Sequence, residues 1–133
     1  AGLPVARDLM AYTLPRGVVE NTTRYVYGHP EKVTPELVDL YVDMTLRAGN
    51  RRALARRIEQ GYTGDPDAIR SVKQPTLILW GGRDRLLPLE NGQRFAKDIA
   101  GSRLVVFEDL GHVPQEEDPA RTVAEVRSFL KRP

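Results

Sequence analysis

The stretch PTLILWGGRDRLLP, residues 75–88, decides the fold class. It begins as an apolar run without polar alternation, opened by a proline and closed by two glycines, which is typical of a parallel strand buried on both faces. The stretch RLVVF, residues 103–107, predicts a second strand, and LPLENGQRFAKDIAG between the two predicts a helix. Strand, helix, strand and a final helix form a right-handed parallel crossover unit, so the fold class is α/β.

The final helix lies in DPARTVAEVRSFLKR, residues 118–132. Asp118 is its predicted N-cap and Pro119 occupies the first helical position, where a missing N–H carries no penalty. Its apolar side chains, spaced for one helix face, are expected to point inward: Val123, Val126, Phe129 and Leu130.

The first 70 residues predict helices only. In TPELVDLYVDMTLRAG, residues 34–49, Thr34 is the predicted N-cap and Gly49 the stop. In NRRALARRIEQG, residues 50–61, Asn50 is the predicted N-cap and Gly61 the end. Shorter helices are predicted in LPVARDLMAY and PRGVVENTTRYVYG, and a single helical turn in GDPDAIRSV.

Composition sets limits on partners and location. The chain has 133 residues, no cysteine, and 20 basic against 18 acidic residues, for a net charge of +2. Neither a disulfide framework nor a cysteine metal site is therefore available, and no apolar run approaches the roughly 18 residues of a membrane span. We expect a cytoplasmic protein without metal or cofactor. Because the chain opens on AGLPVARDLM, with no initiator Met or signal pattern, we expect it to be cut from something longer or processed.

Two turn residues stand where chemistry collects in parallel sheets. Asp84 follows the first predicted strand and His112 follows the second. Since one crossover separates the strands, both residues should lie at the same rim of the sheet. An aspartate bound to one imidazole nitrogen leaves the other nitrogen free to accept a proton from a nucleophile. A Gly-Gly-x-Asp turn and a solvated loop histidine are the alternative, non-catalytic interpretations of the same residues.

Residues 71–132 resemble the C-terminal end of the α/β-hydrolase fold superfamily. In that family a strand followed by a G-x-x-D turn supplies the triad acid, and a GHxPxxExP sequence after the last strand supplies the histidine. Two motifs of this chain carry the resemblance: Trp80-Gly81-Gly82-Arg83-Asp84 with Pro88, and Gly111-His112 with Pro114, Glu117 and Pro119. The resemblance implies that Asp84 is the triad acid and His112 the triad base, with no cofactor.

The helical part resembles the cap that this family inserts before its last strands. The resemblance implies a cap or lid over residues 1–70 and a C-terminal core segment, a partial domain, over residues 71–133. Caps of small-ester, peroxidase-like and carbon–carbon bond hydrolases are similar. Such a cap would contribute apolar side chains to the pocket of a small-molecule substrate. Alternatively, the same side chains would only pack one helix against another. These side chains are Met10, Tyr12, Tyr41 and Met44.

The family's nucleophile sits on a G-x-S-x-G elbow that this chain lacks. Its only serines, Ser71, Ser102 and Ser128, are not flanked by the required glycines. We therefore expect this chain to be the C-terminal fragment of a hydrolase that acts on small ester-like or related substrates, and to be inactive alone. Serine and aspartate both remain possible as the nucleophile. Its partner is expected to be the N-terminal half of the same enzyme, or a second copy joined through the open sheet edge.

Other classes of function remain as alternatives. A non-catalytic helical interaction module is one of them. The arginines of RAGNRRALARR, residues 47–57, suggest nucleic acid, but they spread around the helix without an aromatic platform, and the net charge is low. A small receiver-like domain using Asp84 would need an acidic cluster for its metal, which the sequence lacks. We expect neither a nucleic-acid nor a membrane partner.

Overall fold

The computed structural model describes residues 15–61 and 64–131. The helix predicted in residues 3–12 lies outside these residues. In chain order the elements are α1 (Arg16–Val26), α2 (Pro35–Leu46), α3 (Asn50–Gln60), β1 (Leu77–Gly81), α4 (Leu89–Asp98), β2 (Arg103–Phe107), α5 (Pro114–Glu117) and α6 (Pro119–Leu130). Short 3₁₀ helices occupy Pro30–Lys32 and Pro66–Ser71. The second of them is the single helical turn that the sequence predicts.

Residue contacts divide the chain into two compact units. The helical unit contains the described residues up to Thr23 and from 33 to 64, and the sheet unit contains residues 24–32 and those from Asp65 onward. These limits differ from the domain limits expected from the sequence, 1–70 and 71–133. Residues 24–32 group with the strands because their backbone hydrogen-bonds with the loop that follows β2.

The sheet unit is built on one parallel strand pair. β1 and β2 pair in parallel, with Leu77 opposite Arg103 and Gly81 opposite Phe107. Helix α4 crosses over between them and contacts both strands, as the sequence predicts. The crossover packs closely, because a Cβ on Gly92 of α4 would lie 2.8 Å from Cδ2 of Trp80. Parallel pairing places the carboxyl ends of β1 and β2 side by side.

Burial in the sheet unit departs from the sequence expectation. Leu110 and Phe107 are buried, whereas the four residues of β1 before Gly81 are only half-buried. The prediction that α6 turns its apolar residues inward is wrong for three of them, since Val123, Val126 and Leu130 are 45%, 38% and 73% exposed. Thr122 is the buried residue of this helix. The apolar stripe of α6 is thus present, but the described residues leave it largely uncovered.

The helical unit follows local sequence signals, with one exception. Oγ1 of Thr34 accepts a hydrogen bond from the backbone N–H of Leu37, which confirms the predicted N-cap of α2. The predicted N-cap Asn50 is wrong: Gly49, with φ of 92°, holds that position. Asn50 instead begins α3, and its side-chain amide donates to the carbonyl of Met44. That bond engages the side chain with the preceding helix, so it does not cap its own.

Helix α3 ends at a glycine and contacts the helix before it. Gly61 ends α3 with φ of 62°, a left-handed conformation that glycine adopts without strain. Helices α2 and α3 contact each other within the helical unit. In the described part of the chain, no helix combines the length and the apolar character needed to cross a membrane.

Candidate active site

Asp84 and His112 meet at the carboxyl ends of the two strands. Oδ2 of Asp84 lies 2.8 Å from Nδ1 of His112. The Asp84 side chain is 5% exposed and that of His112 is 31% exposed. This contact confirms the expectation that the two side chains lie within hydrogen-bond reach at one rim of adjacent parallel strands. The carboxylate is shielded from water, and the imidazole remains accessible.

The turn after β1 holds the carboxylate in place. Oδ1 of Asp84 accepts hydrogen bonds from the backbone N–H groups of Leu86 and Leu87, each at 2.8 Å. An ionised carboxylate only accepts hydrogen bonds, so Nδ1 of His112 is the donor in the contact with Oδ2. In a neutral ring, Nε2 is then the acceptor. This arrangement selects one imidazole tautomer and one ring orientation.

Glycines allow the two loops to approach each other. A Cβ on Gly81 would lie 1.9 Å from the carbonyl oxygen of Gly111, and one on Gly82 would lie 2.8 Å from Cα of Glu108. Backbone hydrogen bonds join the same loops, from Gly82 to the carbonyl of Phe107 and from Arg83 to that of Leu110, both at 2.8 Å. The glycine pair in the sequence is therefore a steric requirement for bringing Asp84 to His112.

The backbone of His112 is anchored by a segment that lies within the cap predicted from the sequence. Its N–H donates to the carbonyl of Val26 at 2.7 Å. The backbones of Gly28 and Gly111 also touch, because a Cβ on Gly111 would lie 2.3 Å from N of Gly28. No pattern in the sequence predicted this anchoring role. The only local signal is Gly28 itself, which stands where a helix pattern ends.

A small cavity adjoins the Asp84–His112 pair. Its volume is about 120 Å³, and apart from the pair its lining side chains are apolar. The lining residues are Leu79, Trp80, Gly81, Asp84, Leu87, His112 and Pro114. The site therefore offers a proton acceptor beside an apolar surface.

The described residues place no nucleophile against the histidine. The hydroxyl of Ser71 donates to the carbonyl of Ala68, and that of Ser102 donates to the carbonyl of Ala96. Ser128 lies on α6, and no described hydroxyl group hydrogen-bonds with Nε2 of His112. Within residues 15–61 and 64–131, no three acidic or histidine side chains form a group that could hold a metal ion.

Two of the other predicted pocket residues belong to the helical unit. Tyr41 and Met44 line a depression of about 320 Å³ within that unit, together with Thr45, Asn50, Arg51 and Leu54. Met10 and Tyr12 lie outside the described residues. Their role as substrate contacts stays a prediction.

Sequence comparisons link the chain to a family of hydrolases. A sequence model described as "Alpha/beta hydrolase family" matches residues 1–126. A curated relative is the 2-hydroxy-6-oxononadienedioate/2-hydroxy-6-oxononatrienedioate hydrolase of Escherichia coli strain K12, which is 42% identical over 65 residues. The match covers 49% of this chain and 23% of that enzyme.

Solved structures share the fold. The carbazole-degradation serine hydrolase CarC superposes with a TM-score of 0.79 at 24% identity, over 98% of this chain and 50% of that one. A meta-cleavage product hydrolase from Pseudomonas fluorescens IP01 gives a TM-score of 0.79 at 24% identity, over 92% and 48%. The enol-lactonase from Burkholderia xenovorans LB400 gives 0.74 at 20% identity, over 96% and 50%. The chain thus spans about half the length of these structures.

Proposed function

Because this chain belongs to the alpha/beta hydrolase family, we propose that Asp84 and His112 are the acid and the base of a hydrolytic triad. The third member, the nucleophile, is supplied by a part of the enzyme that this chain does not contain. The 2.8 Å contact between Oδ2 of Asp84 and Nδ1 of His112 carries the proposal. By itself the chain holds a base with nothing to activate, so we propose that it is inactive alone.

The proposed chemistry follows from the orientation of the ring. Nε2 of His112 takes the proton of the nucleophile as its oxygen attacks the substrate carbonyl. Asp84 stabilises the imidazolium that forms, because its carboxylate is held at Nδ1. The imidazolium then protonates the leaving group as the bond to the carbonyl carbon breaks. Water completes the hydrolysis by the same proton transfers and regenerates the nucleophile.

The proposed substrate is a small molecule with a cleavable bond next to a carbonyl group. The named relatives support this choice, since they include a 2-hydroxy-6-oxononadienedioate hydrolase, a meta-cleavage product hydrolase and an enol-lactonase. We propose a small ester or a carbon–carbon bond next to a carbonyl as the bond that the intact enzyme hydrolyses. The apolar lining of the cavity beside His112 fits the uncharged part of such a substrate.

The helical unit is proposed to act as the cap over this substrate. Its depression between α2 and α3 presents Tyr41 and Met44, an aromatic and a flexible apolar side chain. Met10 and Tyr12 are proposed as further substrate contacts. Substitution of Tyr41 or Met44 by alanine should then raise KM for an apolar substrate more than it lowers kcat.

A second chain or the rest of the enzyme is proposed to complete the sheet. A two-stranded sheet is marginal alone, and open strand edges pair readily with other strands. Helix α6 also exposes apolar side chains that contact with another chain would remove from water: Val123, Val126 and Leu130. Light scattering on the isolated chain should report a mass above 15.0 kDa, because the chain should self-associate. A cooperatively folding monomer would contradict this proposal.

The triad assignment is tested with the full-length gene product and an activated nitrophenyl ester. We expect His112→Ala to remove nearly all turnover while the far-ultraviolet circular dichroism stays unchanged. Replacement of the chain's other histidine, His29→Ala, is the matched control and should leave turnover close to that of the parent. Full turnover in a folded His112→Ala variant would refute the assignment. For the isolated chain, we expect no burst of product above that of its own His112→Ala variant.

A further inference from the structure

We propose that Glu117 is a positioning residue, which sets the location of the His112 imidazole by clamping the histidine loop to the 24–32 segment. The inference rests on the proposed function of His112. The observation behind it is a buried carboxylate that bridges two backbone segments far apart in the sequence and, in the described structure, hydrogen-bonds with neither Asp84 nor the His112 ring.

Each carboxylate oxygen of Glu117 accepts a hydrogen bond from one of these two segments. Its side chain belongs to a residue only 7% exposed. Oε1 accepts from the backbone N–H of Gly111 at 2.6 Å, and Oε2 accepts from the backbone N–H of His29 at 3.0 Å. The ammonium group of Lys32 donates to the backbone carbonyl of Glu117 at 3.2 Å. A buried carboxylate is unfavourable unless such donors compensate its desolvation, so its position depends on both segments.

The clamp acts on the peptide next to the catalytic ring. Gly111 directly precedes His112, whose own N–H donates to the carbonyl of Val26. Two consecutive backbone N–H groups of the histidine loop are therefore held, one by Glu117 and one by the 24–32 segment. Gly28 closes the remaining gap, since a Cβ there would lie 2.6 Å from N of Gly111. The loop has little freedom to shift while these contacts persist.

The consequence for catalysis is geometric. The proton transfer from a nucleophile to Nε2 requires hydrogen-bond distance, and a displacement of about 1 Å can cost about 100-fold in rate. In Glu117→Gln one oxygen can still accept, but the amide N–H₂ then faces the other backbone N–H. Two donors in contact push the loop away from the 24–32 segment. The result should be a displaced His112 in a protein that still folds.

The experiment compares two glutamates of the same short helix in the full-length gene product. Glu116 accepts from the hydroxyl group of Tyr27, in the 24–32 segment, at 2.8 Å. An amide oxygen can still accept from a hydroxyl group, so Glu116→Gln makes the same chemical change and leaves both hydrogen bonds of Glu117 in place. We expect Glu117→Gln to lower kcat roughly 10- to 100-fold with KM changed by less than about threefold. Glu116→Gln should stay within about threefold of the parent in kcat. Glu117→Asp, which keeps both acceptors on a shorter side chain, should recover part of the loss.

A proton NMR signal separates positioning from simple stabilisation. The Nδ1–H proton of His112, bound to Asp84, is identified by its absence in His112→Ala. It should shift or broaden in Glu117→Gln and remain unchanged in Glu116→Gln. A Glu117→Gln variant with a lower urea midpoint, but with unchanged kcat and an unchanged signal, would overturn the inference. If Glu117→Gln does not fold, Glu117→Asp decides by the same two measurements, and parent-like kcat and signal would overturn the inference.

The two proposals fail in different ways. If His112→Ala keeps full turnover, the proposed function is wrong whatever Glu117 does. The NMR signal reports the clamp without reference to turnover. An altered signal in Glu117→Gln with a parent-like rate would show that the clamp holds the ring but that its position does not govern catalysis, which contradicts the inference alone.

Discussion

Replacing Asp84 by asparagine should separate the proposed catalytic role of this residue from its structural role. Oδ1 of Asp84 accepts from two backbone N–H groups, and only an oxygen can do so. The asparagine oxygen will therefore occupy that position, and its N–H₂ group will take the place of Oδ2 beside Nδ1 of His112. Because N–H₂ is a donor, Nδ1 must become the acceptor and Nε2 must carry the proton. The ring is then in the wrong tautomer to act as a base.

The expected magnitudes follow from these contacts. For catalysis, the wrong tautomer in a triad costs about 10⁴ in kcat, so we expect a loss of about 10³ to 10⁴. For stability, Asp84→Asn keeps the turn and should cost about 1 kcal/mol or less. Asp84→Ala removes the acceptor for three hydrogen bonds. Leu86 and Leu87 are more than 40% exposed, so water can replace two of these bonds, and we expect a cost of about 2–3 kcal/mol.

The assay measures kcat and the urea unfolding midpoint of both variants in the full-length gene product. Asp43→Asn, on the exposed face of α2, is the matched control and should change neither quantity. We expect the inactive Asp84→Asn variant to be nearly as stable as the parent, whereas Asp84→Ala should be clearly less stable. A folded Asp84→Asn variant with kcat within tenfold of the parent would refute the proposed orienting role of this carboxylate.

Two further predictions concern the loops and the surface of the sheet unit. Gly81→Ala should unfold the protein or displace the histidine loop, because its Cβ would lie 1.9 Å from the carbonyl oxygen of Gly111. The control is Gly17→Ala, whose Cβ would have no atom within 4 Å, and it should be neutral or slightly stabilising in a thermal melt. The hydrogen bond from Arg121 lowers the pKa of the Asp109 carboxyl. The stabilisation from this pair is therefore present above the ordinary carboxyl pKa and is lost as the pH falls through the lowered pKa. The urea midpoints of Asp109→Asn and the parent should therefore differ at about pH 7 and converge at about pH 2, and an unchanged difference would contradict this pairing.

The sequence by itself determined the local elements and the meeting of the two site residues. A proline and two glycines bound the apolar run of β1, and capping residues such as Thr34 and Asp118 start their helices as predicted. Asp84 and His112 could be placed together because a parallel crossover leaves no other arrangement of adjacent strand ends. Their placement at one rim depends on strand order and on which end of each strand a residue follows, and both can be inferred from the sequence.

Only the tertiary structure decided how the histidine loop is held and which apolar faces are covered. The 24–32 segment carries helix signals alone, and nothing in its pattern indicates that its backbone bonds to a loop some 85 residues further on, as Val26 and His112 do. Likewise, Glu117 reads as one of several acids in a helix start, and its burial appears only when Gly111 and His29 converge on it. The spacing of Val126 and its neighbours indicates an apolar face but not whether anything packs on it. Local patterns encode which conformation each segment prefers, whereas burial and bridging hydrogen bonds depend on which distant segments are brought together.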